Sequence, residues 1–216
     1  MEHSPLKVCE IFSSIQGEST YQGLPCSFVR LSGCNLRCTY CDTTYAYDEG
    51  YETGIDEIVS RVGAMGFGLV EITGGEPLLQ QSAGFLLDAL VKEGFTVLVE
   101  TNGSINIAPF NSSAVYIMDF KTPSSSMDRF NDFSNVNLLK KEDEVKFVVS
   151  GAKDYEWAIG VCGKYGLFRR VTVLMSPVFG VMDAGTLSSW IIRDRLRARL
   201  NVQIHKHIYG SRSRGV

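Results

Sequence analysis

Cys34, Cys38 and Cys41 place three of the chain's six cysteines within eight residues, at C-x3-C-x2-C spacing. Thiolates this close repel one another unless a cation neutralises them, so the spacing points to a metal. A closed zinc site takes four ligands, commonly with a second C-x2-C or a His pair further on. Cys162 stands alone, and His205 and His207 lie far downstream, so no fourth ligand is evident. Iron–sulfur clusters are normally held by four thiolates. Three would leave one iron without a protein ligand, open to a small molecule. Such a cluster also delivers one electron, which zinc does not, and the spacing favours it. Cys9 and Cys26 lie in apolar strand-like context and Cys162 in a helical stretch. Cysteine acts there as a small hydrophobe, and none of the three is given a role.

Thr73-Gly74-Gly75-Glu76-Pro77 is the second segment that could do chemistry. Two glycines let a backbone approach a ligand closely, and Glu76 could hold a ligand's ammonium group. The same residues also suit a tight strand-to-helix turn with Pro77 at the first helical position.

Short β-branched runs that read as strands position these segments, at 7–12, 27–31, 68–73, 95–100, 115–120, 144–149, 171–175 and, more weakly, 202–204. Helical periodicity falls between them at 55–65, 78–93, 152–165 and 184–200. The alternation predicts an α/β fold with a mostly parallel sheet. A complete eight-unit barrel typically takes ~250 residues, so a partial, open (βα) barrel of about six parallel strands is expected. Residues 122–142, rich in Ser, Asn and Asp, read as a long loop with room for a helical turn. A loop of that length is often a lid. Ligands bind at the carboxyl ends of parallel strands. Five such ends carry polar or glycine-rich residues: the cysteine loop, Gly74-Gly75, Glu100-Thr101-Asn102-Gly103, Asp119-Phe120-Lys121 and Ser176-Pro177. They predict one shared pocket.

The chain has 216 residues with 44% hydrophobic and 21% charged residues, which excludes wholesale disorder and suits one domain over 1–216. No apolar run reaches a membrane span and the first residues lack a secretory pattern, so a cytoplasmic location is expected. A net charge of −3 disfavours a general nucleic-acid surface. Arg193, Arg195, Arg197, Arg199, Lys206, Arg212 and Arg214 form a basic cluster near the end, readable as a solvated face or as an anion-binding wall. Trp157 and Trp190 sit on helical faces and read as core.

The cysteine triad, Tyr40 before its last member and Gly74-Gly75-Glu76-Pro77 together resemble the radical S-adenosylmethionine superfamily. That resemblance implies a [4Fe–4S] cluster whose open iron chelates S-adenosylmethionine, and a 5′-deoxyadenosyl radical that takes a hydrogen atom from the substrate. Further segments carry a closer likeness: Glu10 to Ser19 (EIFSSIQGES), Phe28 to Leu36 (FVRLSGCNL), Cys41-Asp42-Thr43 and Gln203 to Gly210 (QIHKHIYG). Over nearly its whole length the chain resembles the 7-carboxy-7-deazaguanine synthase family. This implies conversion of 6-carboxy-5,6,7,8-tetrahydropterin to 7-carboxy-7-deazaguanine with loss of ammonia, on the route to queuosine. It also implies a trimmed open barrel, a magnesium ion, a homodimer and a one-electron donor such as flavodoxin or ferredoxin.

Through the resemblance, Cys34, Cys38 and Cys41 would bind the cluster, and Thr43 matches the magnesium-ligating threonine. Substrate contacts fall on Ile15, Gln16 and Gly17, with Glu18 adjacent, and on Arg30, Thr73 and His205; Val216, at the terminus, is another. A bidentate grip on the pterin carboxylate suits Arg30. Contacts to S-adenosylmethionine fall on Tyr40, Cys41 and Asp42, on Gly75, on Asp119, Phe120 and Lys121, and on Ser176, Pro177, Val178 and Phe179. Glu100 and Asn102 support the same pocket. Ser19 departs from a frequent glycine, and Ser176 from a frequent glutamine. Two other readings are a glycyl-radical-enzyme activase and a zinc-stabilised binding module without enzymatic activity.

Overall fold

The computed structural model of the chain describes residues 4–110, 113–210 and 214–215. Nine strands form one sheet in the order β3-β1-β2-β4-β5-β6-β7-β8-β9. β1 (Leu6–Ile15) runs antiparallel to both β2 (Pro25–Leu31) and β3 (Tyr51–Thr53). From β2 onward every pairing is parallel, through β4 (Leu69–Gly74), β5 (Thr96–Thr101), β6 (Val115–Asp119), β7 (Glu144–Val149), β8 (Thr172–Pro177) and β9 (Ala198–Leu200). The parallel run therefore has seven strands where the sequence predicts about six, and the sheet does not close into a barrel.

Helices α1 (Ile55–Ala64), α2 (Ala83–Lys92), α3 (Ala152–Tyr165), α4 (Leu167–Arg170) and α5 (Ala184–Arg193) accompany the strands, and α6 (Ile204–Tyr209) follows β9. Alternate strand residues such as Val70, Ile72, Val97, Val99, Met118, Val145, Phe147 and Val173 pack with helix residues such as Ile58, Leu86, Leu90, Tyr155 and Leu187 into the main core. The opposite, concave face has a second cluster of Cys26, Phe28, Leu69, Leu98, Val115, Ile117 and Leu174. β2 and β8 stand five strand spacings apart, which in a flat sheet is about 24 Å. Phe28 and Leu174 share one cluster because the sheet curls. Burial on both faces is why the parallel strands read as nearly continuous apolar runs.

Three expectations change. The helix expected over 184–200 stops at Arg193, because Arg195 takes a left-handed conformation (φ 51°) and the chain turns back to the sheet. Leu196, Ala198 and Leu200 then alternate with Arg197 and Arg199, a strand period, and β9 pairs with β8. The strand expected at 202–204 is a connection into α6. The region 122–142 holds three 3₁₀ turns and is anchored. Buried Asn135 donates to Ile105 O (2.9 Å) and accepts from Ile107 N (3.0 Å), and Phe133 stacks on Tyr165 at 5.0 Å between centroids. These contacts fasten the segment to the body of the domain, where the sequence suggests a lid.

Candidate active site

Strand alternation builds the site. On the concave face, Phe28, Leu98 and Ile117 form an apolar floor. The next inward positions toward the carboxyl ends carry Arg30 on β2, Glu71 and Thr73 on β4, Glu100 on β5, Asp119 on β6 and Lys146 on β7. This polar tier lines a cavity of about 610 Å³. The cysteine loop and Gly74-Gly75 line it from the strand ends, and Gln203, His205 and Lys206 line it from the C-terminal segment.

The cysteine loop leaves β2 through Gly33, whose φ of +92° favours glycine. Leu36 is buried, Thr39 N donates to Ser125 O (3.2 Å), and Cys41 N donates to Cys38 O (3.2 Å). Burial raises the Cys34 thiol and pushes Cys38 up to about 11, while nearby Lys121 draws both down. The three sulfurs act on one another and on the Tyr47 hydroxyl. Among the described residues no three His, Cys, Asp or Glu side chains gather tightly enough for a single ion. Three cysteines in one loop are a donor set that suits a cluster with one iron left to a small-molecule ligand.

Gly74 and Gly75 serve close approach. A Cβ on Gly75 would lie 2.7 Å from Cys34 Cβ and would also strike Gly33 O. Glu76 is fully buried and outside the cavity lining. Its carboxylate accepts from Leu78 N (3.0 Å), Thr101 Oγ1 (2.8 Å) and Asn102 N (2.7 Å), while Glu76 N donates to Gly33 O (2.8 Å). Glu76 thus fastens three loops together, which overturns the expectation that it meets a ligand's ammonium group. Burial lifts its carboxyl to about 7 against those hydrogen bonds. Gly75→Ala is expected to push the cysteine loop outward and to lower iron per chain after reconstitution by about half or more. Unchanged iron content would show that the loop tolerates the shift.

Arg30 gives its Nε–H to Glu10 (2.7 Å), which also accepts from Tyr45 OH (2.9 Å). No described residue accepts from the terminal guanidinium nitrogens, so they are available to a ligand carboxylate. Gln16, Gly17 and Glu18 lie in the turn after β1. A Cβ on Gly17 would overlap the His205 ring, and Ile204 N donates to Gly17 O (3.0 Å). Burial lowers the His205 pKa, which favours the neutral imidazole near pH 7. Gln203 Nε2 and Asn201 Nδ2 donate to Glu18 (2.7 and 3.1 Å). Together these contacts join the two open edges of the sheet under the cavity.

Lys146 is 3% exposed and pairs with Glu18 (3.0 Å), Glu100 and Asp119 (3.6 Å). Burial works against its charge, but the three carboxylates raise its pKa well above the ordinary lysine value. Burial alone would raise Glu18; Lys146 and the Gln203 hydrogen bond instead hold it at about 2. Asp119 Oδ2 also pairs with Lys121 (3.0 Å), while Asp119 Oδ1 is buried with no described partner. An unpaired acceptor beside the cavity fits a ligand that brings a donor. Lys206 pairs with Asp42, whose other oxygen accepts from Thr43 Oγ1 (2.8 Å).

Ile15, Gln16, Gly17, Glu18, Arg30, Thr73 and His205 line the cavity. So do Tyr40, Cys41, Asp42, Thr43, Gly75, Glu100, Asn102, Asp119, Lys121, Val178 and Phe179. Four residues expected at the cofactors do not: Cys38, which is half-buried in the same loop, and Phe120, Ser176 and Pro177. Phe120 is buried against Phe133 and Phe147, because alternation turns it to the helix side. Ser176 is buried and accepts from Asn201 Nδ2 (2.8 Å), and Pro177 is buried beside it. Val216 and Arg212 lie outside the described residues. Among the described residues of the basic cluster only Lys206 reaches the cavity; Arg193, Arg195, Arg197 and Arg199 are exposed, and Arg214 pairs with Glu49 (2.9 Å). The sequence reading passed over Glu71, Lys146, Gln203 and Tyr47. For Glu71 a signal existed: a lone charge inside an apolar parallel strand must face a partner.

The Radical SAM superfamily pattern matches residues 28–174. The 7-carboxy-7-deazaguanine synthase of Chlorobaculum tepidum is 43% identical over 216 residues, 99% of this chain and 98% of that protein. The synthase of Koribacter versatilis is 40% identical, covering 98% of this chain and 100% of its own. Among solved structures, QueE from Escherichia coli superposes with a TM-score of 0.79 at 21% identity, over 93% of this chain and 95% of that one. The half-barrel and its cysteine loop are therefore those of a known fold, and the chain belongs to the radical SAM superfamily and, within it, to the 7-carboxy-7-deazaguanine synthase family.

Proposed function

We propose that this chain is a lyase of queuosine and 7-deazapurine biosynthesis, which contracts the ring of 6-carboxy-5,6,7,8-tetrahydropterin to 7-carboxy-7-deazaguanine and releases ammonia. One observation carries the reading. Cys34 and Cys41 of the three-cysteine loop, the Gly74-Gly75 turn and the Arg30–Gln16–His205 group all line one cavity. The cluster and S-adenosylmethionine, when bound, supply the hydrogen-abstracting radical; the protein positions and shields.

Cys34, Cys38 and Cys41 would hold the cluster. Gly75, Asp119 and Lys121 would meet S-adenosylmethionine, with the unpaired Asp119 Oδ1 taking one of its donors. Arg30 would grip the pterin carboxylate through its terminal nitrogens while Glu10 fixes its Nε. Neutral His205, seated on Gly17, would hold the substrate as a hydrogen-bonding partner. Positioning matters because hydrogen transfer tolerates little displacement. Thr43 would offer its hydroxyl to a magnesium ion, a hard cation that takes oxygen ligands. A homodimer, a flavodoxin or ferredoxin as reductant and a cytoplasmic location complete the proposal. Among the described residues no helix is long and apolar enough to cross a membrane.

The test is anaerobic turnover. Reconstituted protein with S-adenosylmethionine, reductant, magnesium and the carboxypterin is expected to yield one ammonia per deazapurine. Cluster assembly without deazapurine would overturn the substrate assignment. Arg30→Lys keeps the charge but loses the fork, and should raise KM by roughly 10-fold or more. Unchanged KM would remove Arg30 from the substrate site.

A further inference from the structure

The geometry points to Glu71 as a specificity-determining residue, whose carboxylate accepts two N–H donors from the aminopyrimidinone edge of the substrate. The inference rests on the pterin reading above and extends it to a residue that reading does not use. Glu71 is 4% exposed yet lines the cavity. It pairs in register with Phe28 and Leu98, level with the apolar floor, and sits one inward position deeper than Thr73. Gln16, itself 3% exposed, donates its amide to Glu71 Oε2. No described residue donates to Oε1.

Phe12 and Phe28 stack at 5.0 Å with their planes 8° apart and line the same cavity. Their faces form an apolar wall against which a flat heterocycle packs. Arg30, at the carboxyl end of β2, would take the substrate's carboxylate. A ring held there by its carboxylate directs its opposite edge inward, toward Glu71 and Gln16. In a pterin that edge carries the 2-amino group beside a ring N–H, two parallel donors that match a carboxylate as a guanidinium does.

The surroundings favour this pairing. Glu71 is faced by Gln16 and Glu18 from the turn after β1, Cys26 and Arg30 from β2, Glu100 from β5 and Lys146 from β7. Burial, with Glu100 and Glu18 adding to it, lifts the carboxyl to about 8 although Gln16 and Lys146 oppose. The empty site therefore holds Glu71 protonated near pH 7. A ligand that brings two donors favours the ionised form and expels that proton to solvent.

The experiment uses cluster-reconstituted protein with S-adenosylmethionine bound and 6-carboxypterin as probe, whose ring carbon bears no hydrogen to abstract. The competitor is 6-carboxylumazine, which carries oxygen in place of the 2-amino group. Wild type should prefer the pterin by roughly 10- to 100-fold, the worth of one bidentate pair. Glu71→Leu and the isosteric Glu71→Gln should each lose most of that preference. At pH 7 wild type should release more protons on binding the pterin than Glu71→Gln, read from the buffer dependence of the binding heat. Where the leucine variant does not fold, the glutamine variant carries the test. A preference unchanged in Glu71→Gln, or equal proton release, overturns the role of Glu71 alone. No binding of 6-carboxypterin to wild type overturns the pterin reading along with it.

Discussion

Cys38→Ala is expected to leave the reconstituted protein without its [4Fe–4S] cluster and without turnover. Two thiolates cannot hold a cluster that three already leave under-ligated. Iron and acid-labile sulfide should fall from about four per chain to a small fraction of that. The activity loss should exceed the ~10- to 100-fold typical of removing a partner outside the metal's own ligands. Cys162→Ala is the control. Cys162 is fully buried in α3 against the helix-side core, and its loss is a small cavity worth about 1 kcal/mol. Its iron content should match wild type. Equal iron loss in both variants would mean that folding, and not ligation, governs the iron content.

Lys146→Met should have the largest effect on stability of any single change outside the cysteine loop. The cation is buried among Glu18, Glu100 and Asp119. Breaking a buried pair from one side costs roughly 3–5 kcal/mol, because uncompensated charge remains inside. In a domain of this size that lowers Tm by on the order of 10 °C. The pH dependence follows from the shifts. Glu18 is held down at about 2, so the stability it gains from Lys146 is present above the ordinary carboxyl range and is lost as pH falls toward 2. Lys146 is raised, so its share persists up to its ordinary pKa and fades only in stronger alkali. The gap between wild type and Lys146→Met should therefore be widest near neutral pH and narrow on acidification. Adding Glu18→Gln should recover part of the loss, a coupling that independent sites do not show. A pH-independent gap with additive losses would mean the lysine contributes by packing alone.

The same strand shows how far the sequence could be read. In Glu144-Val-Lys-Phe-Val-Val149 the β-branched run announces a strand, yet Lys146 looks like the solvent face of an alternating pattern. Curling of the sheet turns that face inward, and the partners arrive from positions 18, 100 and 119. Phe120 shows the converse. Its place in Asp119-Phe120-Lys121 puts it in the cofactor segment, but strand alternation sends its ring to the core while its neighbours face the cavity. Glu76 belongs to a recognisable motif, and its task of tying three loops together appears only once those loops meet.

The spacing of the cysteines, the glycine turn and the placing of polar residues after successive apolar runs were written in the chain, because each depends on neighbours a few residues apart. They were enough to predict an open α/β sheet with one pocket at its strand ends. Folding decided which buried charges neutralise one another, which motif carboxylate is spent on structure, and how the 16–22 turn meets the 201–206 segment across the open edges. Those outcomes depend on register and curvature, which bring together groups from about 25 to more than 180 residues apart, and no local period encodes the partner of a charge.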